Sequence, residues 1–414
     1  MGVDESSGVR RRAIMDSVST QLDELKQVVT SRIDAIADTL CDVSRRIHAN
    51  PETAFGEHAA AEVLTGSATA LGLSTVVGAY GLDTAFAVEF GAGPTTVALM
   101  SEYDALPELG HACGHNVIAA IGLGAALGLS MVGDRLPGVV RYLGTPAEEA
   151  GCGKELLARA GAFDGVDAAM MVHAASWDLK AVHSICLSQL DVTFHGVASH
   201  SGLTPEHGRN ALDAAVLAHQ AVGMLSKHLA RGERVNGVIT QGGETPSVIP
   251  AKASARYFLR AETAAALEAL KTRVQGCVVG GAVAAGCTAD VEWSQADYLN
   301  MRINTPLADA YESNAVTLGR SFTPYEAFPP AVTDAGNVSH RVPVLHSTIA
   351  CAPGTVMIHE PDFVFWALSP EADRAVTDGA KALAMTALDF LCDSDLRART
   401  KRAFTLSALA IADH

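Results

Sequence analysis

The chain is poor in aromatic rings, in positive charge and in long apolar runs, and each shortage narrows the functions open to it. Trp, Tyr and Phe together make up 5% of the residues, with only 3 Trp, so few flat rings are available to line a substrate pocket. Lys and Arg number 30 against 46 Asp and Glu, a formal net charge of -16. That balance repels phosphate backbones and anionic lipid surfaces, and argues against nucleic acid or a membrane as partner. No apolar run reaches the ~18 residues of a membrane span. The opening residues, MGVDESSGVRRRAIMD, hold an Arg cluster with no apolar core after it, and so do not read as a signal peptide. Cysteine is present at positions 41, 113, 152, 186, 277, 287, 351 and 392, but scattered, without the dense spacing of a disulfide framework. The expectation is a cytoplasmic, reducing setting in which these are free thiols or metal ligands.

What is present describes an ordinary globular protein, 49% hydrophobic and 18% charged. Its 414 residues suit more than one domain at ~100–200 residues each. Residues 1–12 read as a flexible tail. Apolar positions at Leu22, Leu25, Val28, Val29, Ile33, Ile36 and Leu40 predict one long amphipathic helix over 13–49, stopping before Pro51. A second helix covers 57–72. Apolar strands near 84–90, 95–100, 139–143 and 168–172 then alternate with helices. Asn116 is the expected cap of a helix over 117–130, whose Gly122, Gly124 and Gly128 permit close packing. Strands alternating with helices predict a parallel sheet. From about 187 the order becomes βαββαβ, with strands at 188–197, 234–241, 251–260 and 288–296 and helices at 209–230 and 262–280. That is the split-βαβ, ferredoxin-like arrangement. After about 302 the α/β pattern resumes, with a strand at 344–349 and a final long helix over 370–392. The expected architecture is therefore α/β. A mostly parallel-sheet catalytic domain, 13–187 and 302–414, carries an inserted ferredoxin-like α+β domain at 188–301.

One stretch concentrates the chemistry: Gly110-His111-Ala112-Cys113-Gly114-His115-Asn116. A lone Cys is usually a small buried hydrophobe, and a lone His is usually structural. A thiol and two imidazoles within five residues, however, are what a zinc-like ion needs. Further candidates fall where ligands gather in parallel sheets, after the carboxyl ends of strands. Glu148 and Glu149 follow one apolar strand, His173 ends the next, and His359 follows the last. Cys113, His115, Glu149, His173 and His359 compose a candidate two-metal site in which a thiolate bridges the ions. Two such ions lower the pKa of water and polarise a carbonyl. A hydrolase also needs a base within reach of that water, and Glu148, beside a ligand, is the candidate.

The strings SEYDALPELGHACGHN, GTPAEEAGCGK, MMVH and HSGLTPEHGRNALDA, spread over about residues 45–365, carry a resemblance. The chain resembles the di-metal amidohydrolase and carboxypeptidase superfamily of aminoacylases. Within it the likeness is to the subgroup with a Cys-Gly-His metal motif, which includes hippurate, indole-acetyl-amino-acid, aminobenzoyl-glutamate and β-alanyl-dipeptide hydrolases. The resemblance implies that the inserted domain is a lid through which a homodimer forms. It implies that Cys113 bridges the metals, that His115 and His173 complete one shell, and that Glu149 and His359 complete the other. Glu148 would be the general base and would then protonate the leaving amine. Asp104 falls where the family keeps a carboxylate that orients a ligand His. Other superfamily members place a ligand His two residues before that Asp. Here Glu102 stands there, which fits a shell rebuilt around Cys113 and His115. His111 matches no family role.

Three lid residues follow from the same likeness. His200, in Ala-Ser-His-Ser-Gly, would stabilise the tetrahedral oxyanion in the site of the other protomer. Arg260 would hold the substrate carboxylate in a bidentate grip. Arg256 competes for that role, because the two share a face of one strand. Ser247 stands where many relatives have Asn, a departure at the point where they bind the substrate backbone. Asn210 reads as a helix cap or packing residue. The implied activity is metal-dependent hydrolysis of the amide between an acyl or aminoacyl group and an amino acid. Zinc or manganese are the first metals to consider, then cobalt or nickel. The rivals are dipeptidase or carboxypeptidase action on peptides, a metal-free enzyme with Cys113 or Cys152 as nucleophile, and a metal-binding relative without turnover.

Overall fold

The computed structural model describes the backbone of residues 5–412 and the side-chain surroundings of 20–409. Its strands are β1 (Val76–Val77), β2 (Phe86–Gly91), β3 (Thr96–Ser101), β4 (Val139–Gly144), β5 (Ala168–Ala175), β6 (Cys186–His195), β7 (Ser199–His200), β8 (Arg234–Gln241), β9 (Val248–Ile249), β10 (Lys252–Ala261), β11 (Thr288–Trp293) and β12 (Val344–Ala350). Its α-helices are α1 (Glu5–Ala35), α2 (Ala37–Ala49), α3 (His58–Ala70), α4 (His115–Ser130), α5 (Glu148–Gly151), α6 (Gly153–Arg159), α7 (Ala211–Leu225), α8 (Ala264–Ala284), α9 (Thr305–Thr317), α10 (Ala335–Ser339), α11 (Pro361–Trp366), α12 (Pro370–Cys392) and α13 (Ser394–Ala412). They divide into two compact units. The first comprises residues 1–183, 301–329 and 337–414, and the second comprises 184–300 and 330–336.

The first unit is built on a six-stranded sheet of order β1-β2-β4-β3-β5-β12. The pairs β3–β4, β3–β5 and β5–β12 are parallel, and β1 and β2 run antiparallel at one edge. The parallel strands are near-continuous apolar runs, as strands covered on both faces must be. Helix α4 is buried along almost its whole length. At Gly124 an added Cβ would stand 2.7 Å from Leu40 Cδ1 and 2.9 Å from Ala380 Cβ. The absent side chain is what lets α2, α4 and α12 pack so closely.

Three local readings change. The expected single helix over 13–49 breaks at Ile36, whose φ of -112° and ψ of 11° leave the helical region. No proline interrupts the chain before it, so α1 already runs from Glu5 through residues read as tail; residues 1–4 of that tail lie outside the described residues. Asn116 is not the cap of α4. Gly114, at φ +76°, begins that helix two residues earlier, and the Asn116 amide instead donates to Ser44 Oγ (2.8 Å) and Ala367 O (2.9 Å).

The second unit has a four-stranded antiparallel sheet of order β11-β6-β10-β8. With α7 and α8 between its strands, this is the ferredoxin-like connection. Its own core gathers Leu190, Val192, Phe194, Tyr257, Leu259, Leu270, Val274 and Val278. Asn210 caps α7, its side chain accepting from the Leu212 and Asp213 amides.

Candidate metal centre and active site

In the first unit the carboxyl ends of the parallel strands deliver the candidate ligands to one place. Glu102 and Asp104 follow β3, Glu148 and Glu149 follow β4, and His173 lies near the end of β5. Cys113 and His115 flank the start of α4. Three of the turns that present these residues adopt the left-handed region: Gly114 at φ +76°, Ala147 at +59° and His359 at +67°. Non-glycine residues hold such angles only where the surroundings impose them, and such positions concentrate at functional sites. At Gly114 a Cβ would come within 2.7 Å of Ala174 Cβ, so glycine is required between the two ligands. Ala147 is held by its amide, which donates to Glu57 Oε1 (2.9 Å). His359 is held by its own amide on Ala112 O (2.8 Å).

The donor atoms form two overlapping sets. Cys113, His115 and His173 offer donors mutually within 4.8 Å, and so do Cys113, Glu149 and His359. Cys113 belongs to both. Its Sγ lies 3.7 Å from His173 Nε2 and 3.2 Å from His359 Nε2, and His359 Nε2 is 3.4 Å from Glu149 Oε1. Glu148 joins a third set with His115 and Glu149. The hydrogen bonds around the rings fix which nitrogen faces inward. His115 Nδ1 pairs with Asp104 Oδ1 (3.0 Å) and His173 Nδ1 donates to Ala174 O (2.6 Å). The nitrogen of each that faces the cluster is therefore Nε2, the pattern of metal-binding imidazoles oriented by a carboxylate or a carbonyl. Asp104 also accepts from the Glu149 amide through Oδ2 (2.9 Å), so one carboxylate orients two candidate ligands.

Charge is arranged to match. Burial would raise the Glu149 carboxyl, but the His359 hydrogen bond and the charge of His115 hold it down at about 2. Burial pushes the Cys113 thiol up, with the Glu149 charge adding to it. Burial works against a protonated His115, yet Cys113 and Asp104 hold it well above the ordinary imidazole range. Glu102 Oε2 and His115 Nε2 are buried with no hydrogen-bond partner. Each buried polar atom left so costs ~1–3 kcal/mol. Sulfur, nitrogen and oxygen donors converging on one place fit a pair of divalent cations, which would satisfy the two unpartnered atoms as well.

This geometry agrees with the comparisons. A family model described as Peptidase family M20/M25/M40 matches residues 98–389. The chain belongs to that family. It is a metallo-hydrolase of carbon–nitrogen bonds. Among its relatives is the Xaa-Arg dipeptidase of Mus musculus, 38% identical over 392 residues, with 91% of each chain covered. A p-aminobenzoyl-glutamate hydrolase chain of Escherichia coli (strain K12) is 26% identical over 450 residues, covering 91% of this chain and 94% of that one. Among solved structures, a Bacillus subtilis protein described as a dinuclear metal binding peptidase of the M20 family shares the fold. Its TM-score is 0.65 at 21% identity, covering 86% of this chain and 99% of that one.

The remaining expected residues lie in the second unit. His200 is exposed on β7, which pairs with β9 through His200–Val248. Its Nδ1 accepts from the Gly202 and Leu203 amides (3.1 and 3.2 Å), so a neutral ring carries its proton on Nε2 as a free donor. Ser247 lies on the facing loop: its carbonyl accepts from Ser201 N (3.0 Å), and its hydroxyl sits 3.0 Å from Thr245 Oγ1. Arg256 and Arg260 do share the exposed side of β10, but they are not equally available. Arg256 grips Asp191 with Nε at 2.7 Å and Nη2 at 3.3 Å, whereas Arg260 has no carboxylate partner: it makes a 3.4 Å contact to Asn236 Oδ1 and lies over the Phe258 ring, 5.9 Å from its centroid.

Sequence reasoning missed three buried groups around the metal centre. Lys154 Nζ pairs with Glu102 Oε1 at 2.5 Å, both side chains having zero exposure. His346 stacks on His173, ring centroids 5.7 Å apart, with neither nitrogen hydrogen-bonded. Glu57 supports Ala147. The one sequence signal was His346, a polar residue inside an apolar strand. His111 is buried near His48 (5.9 Å between centroids), and both its nitrogens lack hydrogen-bond partners.

Proposed function

We propose that this chain hydrolyses the amide bond of aminoacyl- or acyl-amino acids, using two divalent ions held by Cys113, His115, Glu149, His173 and His359. The observation that carries the reading is that one sulfur, Cys113 Sγ, is common to two compact donor sets beside Glu148. When bound, the ions supply Lewis acidity for the carbonyl and lower the pKa of water. His115 and His173 fill one half with Cys113, and Glu149 and His359 fill the other. Asp104 orients His115 and the Glu149 backbone together. Glu148, buried and next to a ligand, takes the proton of the attacking water and returns it to the leaving amine. His200, reaching the site of the other protomer, donates from Nε2 to the developing oxyanion, Arg260 holds the substrate carboxylate, and the Ser247 loop lines the substrate backbone. Zinc and manganese are the first candidates for the metal, followed by cobalt and nickel. The working form is a homodimer through the second unit, in a cytoplasmic setting. Among the described residues no helix is long and apolar enough to cross a membrane.

Dipeptides with carboxy-terminal Arg head the substrate class, since the Mus musculus relative is named for them, followed by aminobenzoyl-glutamate. The test is amino-acid release from dipeptides ending in basic residues, β-alanyl dipeptides, acyl-amino acids and aminobenzoyl-glutamate, by metal-loaded protein with Glu148→Gln as control. Turnover of one group by the wild type alone is expected. Equal turnover by Glu148→Gln would overturn the mechanism.

A further inference from the structure

We propose that Glu102 is a sixth protein ligand of the metal centre, completing the half built on His115 and His173, and that Lys154 holds it in place. This rests on the dinuclear reading above and extends it. Glu102 is fully buried and its two oxygens are used differently. Oε1 is taken by Lys154, itself without exposure. Oε2 has no hydrogen-bond partner, yet it lies 3.6 Å from His115 Nε2 and 3.8 Å from His173 Nε2. These are the two ring nitrogens that face inward once Nδ1 of each ring is engaged, and His173 Nε2 also lies 3.7 Å from Cys113 Sγ. Donors bound at ~2.0–2.2 Å to one tetrahedral ion stand ~3.3–3.6 Å apart, close to both distances. The other half shows the same spacing, with Glu149 Oε1 3.4 Å from His359 Nε2. With Glu102 counted, each half has one carboxylate and the shared thiolate, and the two differ by one imidazole.

A purely structural ion pair explains less. Burying a carboxylate and an ammonium costs several kcal/mol per ion before their attraction is counted. Such a pair gains most when both oxygens are satisfied. Here one oxygen is turned away from the ammonium and toward two imidazole nitrogens. Lys154 then serves as a positioning residue that pins Oε1 and aims Oε2.

The experiment is a competitive titration of the full chain with zinc(II) and with cobalt(II), read by bound metal and by the visible cobalt spectrum. Wild type, Glu102→Gln, Lys154→Arg, and Glu102→Gln combined with Lys154→Met are compared. The combined variant removes both members of the Glu102–Lys154 pair together, so it keeps the test alive if Glu102→Gln alone does not fold. The wild type is expected to bind two ions. Both Glu102 variants should keep one ion and bind the second at least about tenfold more weakly, with part of the cobalt spectrum lost. Lys154→Arg should keep both. Two ions at wild-type affinity in the combined variant would overturn the proposal and leave Glu102–Lys154 a structural pair. A wild type that binds no stoichiometric metal would instead bring down the dinuclear reading, and this proposal with it.

Discussion

The candidate metal cluster of the first unit and the polar loops of the second hold their side chains in opposite ways. Around the metal cluster Glu102, Asp104 and His115 have no exposure at all, and each is fixed by another buried group. Asp104 spends one oxygen on His115 and the other on the Glu149 amide, Lys154 pins Glu102, and Glu57 pins Ala147. In the second unit His200 and Ser247 are exposed, and His200 is oriented only by two backbone amides of its own turn. The difference follows from the work each is asked to do. Ligand donors must sit within a few tenths of an ångström of ideal bonds before any ion arrives, which requires packing and second partners. Groups that meet a substrate must be reachable, and loops positioned by a rigid scaffold suit them. Damage to the first region should therefore appear in metal content, and damage to the second in turnover with the metal retained.

The largest effect tests the boundary between the two. Glu148→Gln removes the base without removing a ligand, and kcat should fall about 10²–10⁴-fold, while two ions stay bound by elemental analysis. Loss of metal in that variant would make Glu148 a ligand and erase the distinction drawn for it. Chelation of the wild type should abolish turnover, and added zinc or manganese should restore it.

Next comes the exposed side of the comparison. His200→Ala removes an oxyanion donor, expected to cost ~10²–10³ in kcat. Metal content and melting temperature should stay at wild-type values, because His200 takes no part in the core. If His200→Ala instead lowers bound metal, the loops and the cluster are not separable. A smaller loss, about 10–100-fold, is expected of Glu57→Ala, which frees the Ala147 amide and lets the strained turn relax. The same turn should be rescued in large part by Glu57→Gln, whose carbonyl oxygen still accepts from that amide. Equal losses in both variants would show that Glu57 matters for its charge and not for the turn.

Much of the fold was legible because its causes are local. Periodicity marked the alternating strands and helices, and the βαββαβ order of the second unit needed only the sequence of elements. The candidate ligands that the structure gathers were legible because cysteine, histidine and paired glutamates are uncommon immediately after buried strands. What stayed hidden was set by tertiary contact. Lys154 sits on an ordinary short helix, and nothing in Gly-Cys-Gly-Lys says that its ammonium meets Glu102 across 52 positions. Glu57 supports a turn 90 residues away. The cap of α4 was misplaced because Asn116 is a good capping residue by chemistry, while the backbone between two ligands demanded a left-handed glycine at 114. Arg256 and Arg260 were indistinguishable by alternation, since both lie on one face; only the position of Asp191 on the neighbouring strand separates them.

That last pair gives the finest test. Arg260→Ala should raise KM for a substrate with a free carboxylate by about 10–100-fold, since hydrogen bonds to a charged group contribute ~1.5–3 kcal/mol. The same variant should act far less on kcat, and little on a substrate whose carboxylate is amidated. Arg256→Ala breaks an exposed pair with Asp191, of a kind worth ~0–1 kcal/mol, so its mark should be a small loss of stability with KM nearly unchanged. The reverse outcome, a raised KM in Arg256→Ala alone, would mean that the substrate carboxylate displaces Asp191 from Arg256. Binding would then require breaking an ion pair that is already made, and the availability of Arg260 would not be what selects the binding residue.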